Sequence, residues 1–280
     1  MSFQRVKTGD TLSTGRYTLT FVEMPMIHWP DNMLTYVAEQ KIAFSNDAFG
    51  QHIASYDIFD DAHGAAKCID RAKDYYANIV MPYGMQVANK LKQIQDMNLD
   101  IDMIAPAHGI IWRSYLPELF QAYEDFATFK AVDKAVIVYE SVWKHTQMMA
   151  EALAEGMGRN GICVKIFKCS MTSPAIIQKE LLDAKAVLVG SGNYNNAMAG
   201  SIAAFLEKLI TCKVKNKKGL GFGSYGWANL VTKEINARLG KAGITLLNDE
   251  IVSQNYTPSE ADLDALMELG KQIAEEIKAM

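Results

Sequence analysis

From Ala131 onward the sequence alternates short apolar runs with helical patterns, and this alternation constrains the fold more than any other feature. The apolar runs are KAVIVYE (134–140), ICVKIF (162–167), KAVLVG (185–190), GLGFGS (219–224) and GITLLN (243–248). Helical patterns separate or follow them at 145–158, 173–183, 197–210, 227–240 and 258–278. Runs this rich in Val, Ile and Leu suit strands covered on both faces. Strands joined through helices must lie parallel, which leads to an α/β, doubly wound, five-stranded parallel sheet. Ligands of such sheets bind at the carboxyl ends of the strands, beside the point where the strand order reverses. The last helix is expected to start at Thr257-Pro258, with Glu260 in its first turn.

Residues 1–130 read differently. Strand patterns come first, RYTLTFVE (16–23), MLTYVA (33–38) and KIAFSN (41–46), and a long helical stretch follows across 64–98. The chain therefore divides into two domains, 1–130 and 131–280, and 280 residues at 49% hydrophobic content can fill both cores. A net charge of −4, with no basic cluster longer than VKNKK (214–218), argues against a nucleic-acid groove. No apolar run reaches the roughly 18 to 20 residues that span a bilayer, and the first ten residues lack an apolar signal core, so no membrane is involved and the chain reads as cytoplasmic. Cys68, Cys163, Cys169 and Cys212 show no CxxC spacing and are expected as buried apolar thiols.

The first strand of the alternating half runs into Ser141-Val142-Trp143-Lys144-His145-Thr146, ahead of a helix. Hydroxyls flanking a helix start, where backbone N–H groups lack internal partners and the dipole is positive, form a phosphate cradle or simply a helix cap. The loop contains no glycine, which disfavours both the dinucleotide fingerprint and the nucleoside triphosphate loop. A hydroxyl-lined loop at this place resembles the flavodoxin pattern, whose cofactor is FMN. Two further loops follow the third and fourth strands: Ser191-Gly192-Asn193-Tyr194-Asn195-Asn196 and Ser224-Tyr225-Gly226-Trp227. Their small residues admit close backbone approach, and their amide and aromatic groups suit a planar ring. Trp143 and Trp227 are the candidates for stacking on the isoalloxazine, with Tyr194 and Tyr225 behind them; the alternative for Trp227 is packing under the helix that follows. Lys144 and His145 are either phosphate partners or a solvated helix end.

In the first half, His28 lies in MPMIHWPDNM, Asp47 in FSNDAFGQH and His108 in IAPAHGIIW. Asp47 and His108 follow apolar strands, and polar residues there point into a shared cleft. Two imidazoles and a carboxylate suit iron or zinc, and a carboxylate can bridge two metals. Singly, each has an ordinary explanation as a hydrogen-bonded core histidine or a turn cap. His63 reads as surface, and His52 lies near the cleft without being needed as a ligand.

HWPDN, FSNDAFGQH and APAHG, followed by YESVWKHT, GSGNYNN and GSYGW in that order, closely resemble the flavodiiron proteins, also called A-type flavoproteins or rubredoxin:oxygen oxidoreductases. The resemblance runs from about Val6 to the end. It implies a metallo-β-lactamase-like αββα domain carrying two non-haem iron ions, a flavodoxin-like domain carrying FMN, and reduction of O2 to water, NO to N2O, or both. It also implies His28 and His108 as terminal ligands of the two irons and Asp47 as the carboxylate bridging them. A separate donor such as rubredoxin or a reduced deazaflavin is implied, as is a head-to-tail homodimer in which Trp29 neighbours the partner's flavin. The family's remaining ligands come from an H-x-E-x-D-H motif upstream of HWPD, which this sequence lacks. The β-lactamase-like domain is thus expected to be partial, with apolar sheet surface exposed, and each iron to keep too few protein ligands. The same residues leave room for another reading, an FMN-binding electron-transfer module with a metal-free β-lactamase-like remnant as interaction surface. A hydrolytic relative is the weakest reading, because a flavin domain has no task in hydrolysis.

Overall fold

The computed structural model describes residues 4–248 and 250–280 and resolves two compact units, Met1–Thr128 and Phe129–Met280. The first holds a five-stranded sheet of β1 (Thr11–Ser13), β2 (Thr18–Glu23), β3 (Met33–Val37), β4 (Ile42–Asn46) and β5 (Met103–Pro106), in that spatial order. Neighbours are antiparallel except β4 and β5, which run parallel. The side-chain alternation of strands gives this sheet one buried face, where Val22, Leu34, Ala43 and Ile104 are at most 1% exposed. On the opposite face Leu12 and Phe44 stand exposed, while Phe21 and Val37 are buried.

The helical stretch expected across 64–98 is not one helix. It comprises α1 (Ala65–Tyr75), a π turn at Tyr76–Val80, a 3₁₀ turn at Met81–Tyr83 and α2 (Gly84–Asp96). Pro82 explains the break, since it has no N–H to donate and its ring crowds the preceding turn. A third helix, α3 (Leu116–Ala127), closes the unit. Its Tyr123 and Phe126 pack with Tyr76 and Phe49 in an aromatic cluster.

The second unit holds β6 (Val132–Glu140), β7 (Cys163–Lys168), β8 (Ala184–Ser191), β9 (Lys218–Tyr225), β10 (Thr245–Leu246) and β11 (Val252–Asn255). The sheet order is β10-β9-β8-β6-β7, with β11 also on β9 and every pairing parallel. The fold is the doubly wound one expected, with the reversal between β6 and β8. Its fifth strand is split, however: only Thr245–Leu246 of the 243–248 run is paired, and a second segment, β11, resumes beside the carboxyl end of β9. Strand β7 is an edge strand and is half exposed, which leaves Cys163 facing solvent and Cys169 half-buried; only Cys68 and Cys212 are the buried thiols anticipated.

Helices α4 (His145–Arg159), α5 (Pro174–Leu182), α6 (Gly200–Thr211), α7 (Val231–Lys241) and α8 (Glu260–Lys278) supply the crossovers and the terminal cover. Two of them start later than the apolar pattern suggests, α6 at Gly200 rather than 197 and α7 at Val231 rather than 227, because the loops before them occupy the intervening residues. The last helix is capped by Ser259, not Thr257: Ser259 and Asp262 form a reciprocal capping box. Helices α4 and α8 cross where both carry glycine. A Cβ on Gly156 would lie 2.0 Å from the Met267 carbonyl oxygen, so only glycine permits this approach.

Candidate functional site

The carboxyl ends of β6, β8 and β9 open onto a cavity of about 430 Å³. Ser141, Val142, Trp143, His145 and Thr146 line it from the first loop, Gly192, Asn193 and Tyr194 from the second, and Ser224, Tyr225, Gly226 and Trp227 from the third. Hydrogen bonds tie the loops together. The Thr146 and Ser224 hydroxyls lie 2.9 Å apart, and the Asn193 N–H donates to the Ser224 carbonyl oxygen at 3.0 Å. No side chain caps α4, so Ser141 and Thr146 are not serving as its ordinary cap.

Other expected residues lie outside the lining. Ser191 is fully buried and structural: its hydroxyl donates to the Gly192 carbonyl and accepts from the Ala199 N–H. Asn195 and Asn196 take left-handed backbone conformations at the tip of a turn closed between Tyr194 and Ala197. Lys144 is also left-handed, and its exposed side chain is not part of the cavity lining.

The aromatic groups are unusual in their exposure. Trp143 and Trp227 are 80% and 85% exposed, so Trp227 does not pack under α7. Indoles left in water carry an apolar area that a planar ligand can cover. The Asn193 side chain donates to the Ala228 carbonyl, while its amide oxygen is buried and accepts nothing from the protein. A buried acceptor without a protein donor is costly, and a ligand N–H or a water at the cavity wall relieves it. Hydroxyls at a helix start, two exposed indoles and an amide acceptor without a protein donor together fit a phosphorylated flavin. Glu140, at the end of β6, braces the rim. Burial pulls its carboxyl upward, but hydrogen bonds from the Ser170 N–H, the Ser201 hydroxyl and the Ser141 N–H outweigh that and hold it below the ordinary carboxylate range.

In the first unit, His28, Asp47 and His108 come together. The His28 Nε2 lies 3.4 Å from Asp47 Oδ2, and the His108 Nε2 lies 3.2 Å from Asp47 Oδ1. One imidazole on each carboxylate oxygen is the disposition of a bridging carboxylate with two terminal ligands. The three side chains surround the carboxylate rather than a point, so each side offers one nitrogen and one oxygen. Among the described residues, no three His, Cys, Asp or Glu are grouped to hold one metal ion. Two protein donors per ion do not hold non-haem iron, so the residues present do not complete the expected centre.

Two carboxamides that sequence reasoning passed over hold these loops. Asn32, 2% exposed, donates to the Ile27 carbonyl beside His28, and its amide oxygen accepts from the Asn46 side chain beside Asp47 at 2.7 Å. Gln51, fully buried, both donates to and accepts from the Ile110 backbone, and its own N–H donates to the His108 carbonyl at 3.2 Å. Both residues sit inside the motifs already singled out, but carboxamides carry no chemistry that marks them as scaffold. Tyr75 was also missed. Its ring stacks 5.8 Å from His108, and burial, with the nearby Asp47 charge, pushes its hydroxyl up to about 12. His52 is exposed with its ring 6.4 Å from His108, and His63 contacts the Asp57 carbonyl instead.

The chain matches the family models "Flavodoxin" over residues 137–270 and "ODP family beta lactamase" over residues 2–109. It is 44% identical over 272 residues to a nitric oxide reductase of Moorella thermoacetica, an alignment covering 97% of this chain and 68% of that protein. Among solved structures it is similar to the rubredoxin oxygen:oxidoreductase of Desulfovibrio gigas, with a TM-score of 0.95 and 36% identity over 99% of this chain and 69% of that one. It is also similar to the flavodiiron protein of Giardia intestinalis, with a TM-score of 0.94 and 27% identity over 98% and 68% of the two chains.

Proposed function

The chain belongs to the flavodiiron proteins, and from that premise we propose that it carries electrons from a separate donor, a rubredoxin or a reduced deazaflavin, through FMN toward a di-iron centre that reduces NO to N2O, O2 to water, or both. The observation that carries this reading is the cavity at the ends of β6, β8 and β9, with its two exposed indoles and the unpaired Asn193 acceptor. Bound FMN supplies the ability to collect electrons singly and to pass on two.

The chain's own residues do the holding. Ser141, Thr146 and the uncapped first turn of α4 take the phosphate; His145 stands beside them. Trp143 and Trp227, with Tyr194 and Tyr225, cover the ring and exclude water from its faces. Asn193 presents its amide oxygen to a ring N–H, and Gly192, Ser224 and Gly226 let backbone approach. Lys144, Ser191, Asn195 and Asn196 shape these loops from outside the cavity.

At Asp47 the residues supply three of the ligands that a di-iron centre needs, and the remainder must come from a preceding segment or another chain bearing the H-x-E-x-D-H pattern. A second reading rests on the same shortfall: the chain acts as an FMN electron-transfer module whose β-lactamase-like unit serves as an interaction surface. Iron separates the two. The reductase reading expects roughly two irons per flavin and consumption of NO or O2 once the H-x-E-x-D-H segment is supplied. Flavin that reduces reversibly, with neither iron nor gas uptake under that condition, leaves only the electron carrier. A head-to-tail homodimer, with exposed Trp29 beside the partner's flavin, belongs to the reductase reading; sedimentation velocity tests it. Among the described residues no helix is long and apolar enough to cross a membrane.

A further inference from the structure

A fourth element reaches the flavin cavity, from a part of the chain that none of the three loops includes. Strand β11 runs beside β9 with Asn255 opposite Tyr225, and the next residue, Tyr256, lines the cavity. Its φ is +59°, a conformation unfavourable for an aromatic residue that persists only where surroundings enforce it. The enforcement is visible. The Tyr256 N–H donates to the Tyr225 carbonyl at 2.8 Å, and the Asn255 side chain donates to the Tyr225 and Gly226 carbonyls. One residue on, the Thr257 hydroxyl lies 3.0 Å from His145 Nε2, so the same turn grips the first loop as well.

Both flanks of the turn are fixed. β11 is paired to β9, and the Ser259 capping box launches α8, which crosses α4 at Gly156. A turn anchored on both sides presents its side chain without further ordering, which is what a binding residue gains from a rigid scaffold. The phenol ring is nonetheless 60% exposed; it stands beside the Cα of Gly226, in ordinary contact with the space a side chain would fill there. Strain, rigid support and an uncovered ring at the cavity wall are the marks of a group awaiting a ligand rather than a core residue.

We propose that Tyr256 is a flavin-binding residue whose ring closes the cavity between its phosphate and isoalloxazine ends, and that Thr257 is a positioning residue acting through His145. This rests on the flavin reading above. The split of the fifth strand then has a purpose, since its resumption as β11 carries the chain to the rim.

The test is titration of the full flavin-free chain with FMN and, separately, with riboflavin, followed by flavin fluorescence. Tyr256→Asn keeps a residue that tolerates positive φ and removes the ring. It is expected to weaken both ligands about tenfold, in the range of an aromatic stacking contact, whereas Tyr256→Phe stays within about threefold of the unsubstituted chain. Thr257→Val is expected to weaken FMN severalfold and leave riboflavin unchanged, a discrimination that a general loosening of the fold does not produce. Unaltered FMN affinity in Tyr256→Asn overturns the Tyr256 assignment and leaves the flavin reading standing. Equal loss of both ligands in Thr257→Val overturns the role of Thr257. If the unsubstituted chain binds neither flavin, the flavin reading fails and this inference with it.

Discussion

Around Asp47 the carboxamides of Asn32 and Gln51 find their partners in the loops that carry the two imidazoles, and only the Tyr75 hydroxyl there is buried without a partner among the described residues. Around the flavin cavity, by contrast, two indoles and a phenol stand largely uncovered and a buried amide oxygen has no protein donor. Both regions are built from loops at strand ends. The first offers two protein donors on each side of one carboxylate; the second presents groups that the protein itself leaves uncovered. Preorganisation and completeness are therefore separate properties, and each can be probed alone.

The largest effect expected is from Asp47→Ala in chain supplied with the H-x-E-x-D-H segment. NO or O2 consumption falls by more than about a hundredfold, since even outer partners of metal ligands are worth 10- to 100-fold. FMN content stays the same if the two regions are independent; loss of flavin in this variant breaks the comparison.

Next comes alkaline stability of the first unit. The Tyr75 hydroxyl, ordinarily near 10, is pushed to about 12 by burial and the Asp47 charge. The folded state then keeps a proton that the unfolded state has lost, so the stabilisation is fully present below pH 10 and disappears as pH rises through 12. The loss is about 2 to 3 kcal/mol over that window. Denaturant midpoints measured from pH 9 to 12 read it, and Tyr75→Phe lessens the slope, the buried Tyr76 and Tyr123 hydroxyls, also pushed up by burial, carrying the rest; an unchanged slope in that variant removes Tyr75 as a cause.

Gln51→Ala sharpens the account of the metal loops. It strands the Ile110 N–H and carbonyl in a buried place, a cost of about 2 kcal/mol in unfolding free energy. The same substitution leaves FMN affinity untouched, and a stability change under about 0.5 kcal/mol would show the clasp to be incidental.

How far these regions can be read from residues differs for physical reasons. The alternation after Ala131 specifies a parallel sheet because buried strands are apolar throughout, and the loops at their ends follow from topology. The fifth strand defeats that reading: β11, VSQN, carries no apolar run, so nothing in the pattern puts Tyr256 at a strand end. The apolar period puts helix starts at 197 and 227, too early, because Met198 and Trp227 continue it while belonging to loops. The helical period across 64–98 runs on through Pro82 and hides the break that proline chemistry imposes there. In the first unit, the meeting of His28, Asp47 and His108 depends on contacts across 61 residues between Asp47 and His108 and has no local signature. Their places after apolar strands point to a shared cleft, and the resemblance makes of them one set of ligands.

The smallest effect concerns the cavity. Trp227→Ala is expected to weaken FMN about tenfold and to shift its visible absorption, because one stacking surface is lost while the others remain. No change in either would move the stacking role from Trp227 to Trp143.

The most direct measurement is equilibrium dialysis of the purified, flavin-free 280-residue chain against FMN and ferrous iron together without oxygen, followed by flavin and metal analysis. The account predicts about one FMN retained per chain and far less than two iron ions, the flavin site being whole within these residues and the metal site not. A chain that keeps two tightly held irons, or that emerges without flavin, contradicts it.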